Sequence, residues 1–147
     1  MNFHRYDDRL ASAAQPTAEE LGQLRDEGFE AVVNLSPAST RNALGNEAAL
    51  VEGLGMDYVH FPVDCSNLRP LHYRSFRGIL RGLEGRKVLV HCGGNIKSSN
   101  LVFMYQVLEL GIPADQALAE LKTIQDPEQK WFAYFEGMGI MKGAIAA

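Results

Sequence analysis

An α/β domain with a mainly parallel central sheet of four to five strands, flanked by helices, is the fold class this sequence predicts. Three observations carry the expectation. Short apolar runs rich in β-branched residues, at 31–35, 56–63 and 87–91, alternate with segments whose apolar residues recur at helical spacing. Glycines punctuate the ends of those segments, at Gly28, Gly55, Gly85 and Gly111. The connections between the strand-like runs are long enough for helical crossovers, which parallel pairing requires.

Taken in order, residues 9–15 are short and rich in small side chains, and read as an edge strand delivering Gln15-Pro16 to the surface. Thr17 and Glu20 form a capping box for a helix carrying Leu21 and Leu24, which stops at Gly28. Ala31-Val32-Val33-Asn34-Leu35 is a buried strand, and Ser36-Pro37-Ala38-Ser39-Thr40 is a polar loop at its end. Residues 45–54 fit a second helix with Ala48, Leu50, Val51 and Leu54 inward, closed by Gly55. A strand at 56–63, expected to neighbour the run at 87–91 in the sheet, leads directly into the loop Asp64-Cys65-Ser66-Asn67-Leu68-Arg69-Pro70. Leu71, Phe76, Ile79, Leu80 and Leu83 give the buried stripe of a helix at 71–83. After the run at 87–91 a strongly apolar helix is expected over 99–110. A further helix starts at Pro113 with Ala117, Leu118 and Leu121. A last one follows Asp126-Pro127-Glu128, with Trp131, Phe132, Tyr134, Phe135 and Met138 lidding the core.

The chemistry concentrates in His91-Cys92-Gly93-Gly94-Asn95-Ile96-Lys97-Ser98-Ser99. A strand, a tight glycine loop and a helix start in succession place backbone N–H groups around a concavity that favours anions. The same field favours a thiolate, the nucleophilic form of cysteine. The plain alternative is a structural cysteine closing a buried strand. The His before it, the two glycines after it and the two serines at the helix start favour a catalytic or anion-binding role.

Composition narrows the partners. The net charge of -4 on 147 residues gives no support for a nucleic-acid or membrane-surface partner. Only two cysteines occur, Cys65 and Cys92, with none of the closely spaced Cys/His pairs that bind zinc. Neither a metal nor another cofactor is expected. The first residues are polar and no apolar run approaches the ~18 residues of a membrane span. The expectation is one cytoplasmic unit over 1–147, with reduced thiols.

In this order of elements, with an Asp loop after a Phe-Pro strand and then Val-His-Cys and a glycine loop, the chain resembles the protein tyrosine phosphatases of compact dual-specificity type. The run Ala14-Gln15-Pro16-Thr17 to Gly28, followed by Val33-Asn34-Leu35, is similar to the small bacterial branch of that superfamily. The resemblance implies a cysteine nucleophile at Cys92, a general acid at Asp64 and a hydroxyl at Ser99 that supports the thiolate. It further implies a phosphate cradle of Gly93, Gly94, Asn95, Ile96, Lys97 and Ser98, with His91 supporting the loop through hydrogen bonds. The plain reading of Asp64 is a loop-initiating turn residue.

The family arginine is missing. The sixth position after Cys92 is Ser98, and a better register is the bacterial pattern Cys-x-x-Asn-x-Arg-x-Ser, with Lys97 in the arginine's place. Lysine is a point charge without the planar fork that grips two phosphoryl oxygens. The implied function is a phosphomonoester hydrolase working through a cysteinyl-phosphate on a phosphorylated substrate, with weak turnover. The alternatives are a phosphate- or phosphoprotein-binding module and a rhodanese-like sulfurtransferase. The Gln-Pro-Thr start and the Asp loop speak against the last. A reversible Cys65–Cys92 bond is a further expectation if the Asp64 loop folds over the site.

Overall fold

The computed structural model describes residues 1–140, so the end of the expected 1–147 unit lies outside the described residues. Its elements are β1 (His4–Arg5), β2 (Leu10–Ala13), α1 (Ala18–Asp26), β3 (Ala31–Asn34), α2 (Glu47–Gly53) and β4 (Asp57–His60). They continue with α3 (Pro70–Gly82), β5 (Val88–His91), α4 (Lys97–Leu108), α5 (Ala114–Lys122) and α6 (Gln129–Gly137). The fold is α/β, with a five-stranded sheet in the order β1-β2-β5-β3-β4. Four strands are parallel and β1 alone runs antiparallel, against β2.

Both faces of the sheet are covered, which is why its strands read as nearly continuous apolar runs. The period of two divides them. Ala31, Val33, Val88, Val90 and Cys92 face a core with α3 to α6, where Trp131, Phe103 and Phe135 are fully buried. Val32, Leu89, Ala11 and Ala13 face a smaller core with α1 and α2. The capping box of α1 is present: Glu20 N–H donates to Thr17 Oγ1 at 3.1 Å and Thr17 N–H to Glu20 Oε1 at 2.9 Å.

Three local expectations are corrected. Strand β2 is not an edge, because β1 pairs outside it with His4 opposite Ser12. A side-chain bond between Tyr6 Oη and Ser12 Oγ, 2.7 Å long, helps hold that short strand in place. The Asp64 loop does not leave a neighbour of the Cys92 strand either; β3 lies between β4 and β5. Beyond β4 the chain instead follows the end of β3, with Phe61 N–H donating to Asn34 O at 2.9 Å and Val63 N–H to Leu35 O at 3.0 Å. That extension carries Asp64 toward the start of α4. Lastly, Leu71 is 67% exposed and Ala48 faces water, while the charged Glu47 is buried.

Candidate functional site

Alternation along β5 aims Cys92 and His91 to opposite sides of the sheet. Cys92 ends on the side of α4 and is 2% exposed. His91 points to the side of α1 and α2, where its Nε2 lies 2.6 Å from Glu47 Oε2. The loop from Gly93 to Ile96 then turns the chain into α4. Among the described residues, the N–H groups of Gly93, Gly94 and Ile96 have no protein acceptor, while Asn95 N–H faces Ala13 O across the bridge between Ala14 and Gly94, and no side chain caps α4. Free donors in a loop that opens a helix N-terminus are the physical form of an anion site.

The loop is held from behind. Gln15 N–H donates to Gly93 O at 3.3 Å and Asn42 Nδ2 to the same oxygen at 3.1 Å. Asn95 has φ of 63°, a left-handed conformation that asparagine tolerates better than most side chains. Its side chain stabilises that turn twice: Nδ2 donates to Asn2 O at 2.9 Å, and Oδ1 accepts from Ser98 Oγ at 2.6 Å. Gly93 is closely approached: a Cβ there would sit 3.2 Å from Thr40 Cγ2 and 3.5 Å from Asn42 Oδ1, so the Thr40 side chain would have to shift. Gly94 carries no such constraint, with only Ile96 Cγ1 at 4.0 Å.

The hydroxyl beside the thiol is that of Ser98, with Oγ 3.3 Å from Cys92 Sγ. Ser99 is turned away: its Oγ donates to Asn95 O at 2.6 Å and accepts from Gln125 Nε2 at 3.1 Å. Gln125, from the connection between α5 and α6, carries no distinctive sequence signal, and the structure brings it to the loop. Glu47 had a signal that a closer reading of α2 would have caught. It shares the i, i+4, i+7 stripe with Val51 and Leu54, where a charged side chain is out of place unless it is paired.

Lys97 neither reaches over the loop nor extends into water. Its Nζ donates to Val63 O at 2.7 Å and to Leu35 O at 3.3 Å, joining the first turn of α4 to the ends of β3 and of the chain beyond β4. Asp64 is exposed, and its Oδ1 accepts from Ser66 N–H at 2.9 Å and from Ser66 Oγ at 2.6 Å. Those two bonds, with smaller help from the Lys97 and His72 charges, hold the Asp64 carboxyl below the ordinary carboxylate range. In this conformation it is a turn-forming carboxylate. Cys65 and Cys92 are both free thiols, and burial pushes the Cys65 thiol up. A cleft of about 600 Å³ is lined by Pro37, Pro62, Val63, Asp64, Lys97 and Lys130, among others. Among the described residues no cluster of His, Cys, Asp or Glu could hold a metal ion, and no helix is long and apolar enough to cross a membrane.

No family model matches the chain. A beta-lactamase hydrolase-like protein of Xylella fastidiosa (strain Temecula1 / ATCC 700964) is 27% identical over 115 residues, covering 76% of this chain. The chain spans about a quarter of that relative's length, 26%. Among solved structures, a candidate phosphatase of the DUF442 group from Shewanella putrefaciens CN-32 superposes with a TM-score of 0.82 at 28% identity, covering 93% of this chain and 90% of that one. TpbA of P. aeruginosa, solved in one form with phosphotyrosine bound, superposes at 0.78 with 20% identity over 99% of this chain and 89% of its own. Tk-PTP in its active form gives 0.79 at 21% identity, over 93% and 95%. The last two share the fold.

Proposed function

On the compact, bacterial-type protein tyrosine phosphatase fold that this chain carries, we propose that it hydrolyses phosphomonoesters through Cys92, slowly. The unpartnered N–H groups of Gly93, Gly94 and Ile96, in the loop that follows Cys92, carry this reading. In the proposed reaction Cys92 Sγ attacks phosphorus and the bond to the leaving oxygen breaks. Water then hydrolyses the cysteinyl-phosphate, releasing phosphate and returning the thiolate. Loop N–H groups of Gly93, Gly94 and Ile96 and the start of α4 at Lys97 and Ser98 hold the phosphoryl oxygens.

Ser98 supports the thiolate. A hydroxyl has one hydrogen to give, and here Asn95 Oδ1 and Cys92 Sγ compete for it. While the thiol is protonated, Ser98 bonds Asn95; when sulfur carries the charge, the hydroxyl turns to it. Ser99, assigned a direct role by the resemblance, acts from this position as a brace on Asn95 and Ile96. Asp64 donates the proton to the leaving oxygen once its turn with Ser66 opens. General acids contribute about 10²–10⁴ in rate, and much of that is lost while the turn stays closed.

A second reading has its own observation. With Lys97 bound to the Val63 and Leu35 carbonyls, no side-chain cation grips the phosphoryl group from the arginine position. Losing such a clamp slows phosphoryl transfer by roughly 10³ or more. The result is a module that binds phosphate or a phosphoprotein without turning it over. Aryl phosphate and thiosulfate-plus-cyanide assays on the wild type, Cys92→Ser and Lys97→Arg separate the readings. Slow phosphate release abolished in Cys92→Ser is expected. Activity appearing only with Lys97→Arg selects the binding module, and sulfur transfer without phosphate release overturns both.

A further inference from the structure

Glu47 is 4% exposed although it is the first residue of α2. Both of its carboxylate oxygens are engaged: Oε2 with His91 Nε2 at 2.6 Å and Oε1 with Gln15 Nε2 at 2.6 Å. The two donors lie on either side of the Cys92 loop. His91 places Nδ1 3.4 Å from the carbonyl oxygen of Cys92. Gln15 donates its own backbone N–H to the carbonyl oxygen of Gly93 at 3.3 Å.

Peptide planarity gives this arrangement a consequence. Within one trans peptide the C=O and N–H point in opposite directions. Drawing the Cys92 carbonyl toward His91 therefore aims the Gly93 N–H the other way. Drawing the Gly93 carbonyl toward Gln15 does the same for the Gly94 N–H. We propose that Glu47 is a positioning residue for the anion loop, holding His91 and Gln15 so that the Gly93 and Gly94 N–H groups stay aimed at the bound anion. The inference rests on reading that loop as the phosphate site.

A carboxylate is suited to the task because it accepts from two donors at once. Burial works to raise the Glu47 carboxyl, but the His91 hydrogen bond and charge and the Gln15 bond outweigh it and hold it low. The titratable group that faces the Glu47–His91 pair from the neighbouring strand is the Tyr58 hydroxyl of β4, which burial keeps neutral. An amide in place of the carboxylate removes the charge and sets an NH2 group against one of the two donors, so that arm of the clamp is weakened.

The test uses Glu47→Gln in the full chain, with three readouts. Inorganic phosphate is titrated while following the Gly93 and Gly94 amide resonances. Carboxymethylation of Cys92 by iodoacetate is timed by mass spectrometry, with Cys65 as the internal control. The low-field His91 Nε2–H resonance reports the bond to Glu47. Expected in Glu47→Gln are loss or a large upfield shift of that resonance and at least tenfold weaker phosphate binding. Cys92 modification should slow at least fivefold, with Cys65 unchanged. Wild-type phosphate affinity and Cys92 rate in a folded Glu47→Gln protein overturn the proposal. If Glu47→Gln does not fold, Gln15→Met decides: about threefold weaker phosphate binding supports the proposal and unchanged binding overturns it. A wild type that turns over no phosphate ester, yet whose Cys92 reacts five times faster than in Glu47→Gln, keeps the positioning role and removes the phosphatase reading.

Discussion

Replacing Lys97 by Met keeps the length and much of the apolar stem but removes the ammonium. In the structure that ammonium bonds two backbone carbonyls, at 2.7 Å to Val63 and 3.3 Å to Leu35. The two are not equal. Leu35 O already accepts from Val63 N–H at 3.0 Å, so only Val63 O is orphaned by the change. A hydrogen bond to a charged group contributes about 1.5–3 kcal/mol, and the half-buried position of Lys97 takes some of that back through solvent screening. The expected loss is therefore about 2 kcal/mol, or about 4–8 °C in melting temperature for a domain of this size. Urea and thermal denaturation measure it, alongside phosphate titration of the same protein. The strut reading expects a clear fall in stability with phosphate affinity changed less than about threefold. A Lys97→Met protein as stable as the wild type, with phosphate binding weakened tenfold or more, refutes it and makes Lys97 a clamp.

Three further outcomes follow from the same geometry. Gly93→Ala should push against Thr40 Cγ2 and lower stability by about 1–3 kcal/mol, as overpacking does, whereas Gly94→Ala should leave melting temperature within a degree or two; parallel melts decide. Ser66→Ala removes the side-chain bond to Asp64, so the carboxyl rises toward its ordinary range and the high-pH limb of activity on poor leaving groups should move to higher pH. An unmoved limb excludes Asp64 as the acid. Glu47, held below its unfolded value near 4.5, stabilises the fold fully above that value. The contribution is lost as pH falls through the lower folded value. Glu47→Gln should therefore flatten the acid side of the stability curve, read as the urea midpoint from pH 7 downward.

How far the sequence reaches depends on the distance over which each feature is encoded. The strand-helix alternation and the His91 to Ser99 loop were legible because their signals are contiguous: periodicity, glycine stops and a glycine loop between strand and helix. Strand β1 was not, since two residues have no period and its register is shared with the Tyr6–Ser12 contact. The motif placed Lys97 in the first turn after the loop, but the acceptors of its ammonium lie 34 and 62 residues away in sequence. Which hydroxyl meets the thiol turned on where α4 begins. Starting the helix at Lys97 brings Ser98 to Cys92 and rotates Ser99 onto the loop carbonyls. Glu47 lies on the stripe of Val51 and Leu54, but the two donors that pair it, His91 and Gln15, come from distant segments.

The order β1-β2-β5-β3-β4 has a consequence for how the protein behaves in concentrated solution. Open strand edges are templates for pairing with another chain. Here one edge is a strand of two residues, His4–Arg5. The other is β4, whose first residue, Asp57, is held by Arg86 at 2.5 Å and whose continuation meets Pro62, which has no N–H to offer a neighbour. One rim is thus very short and the other is hindered by an ion pair and a proline, and the fully buried apolar strands β3 and β5 sit between them. Cys92 directly follows one of those interior strands, β5, and so lies away from both rims of the sheet.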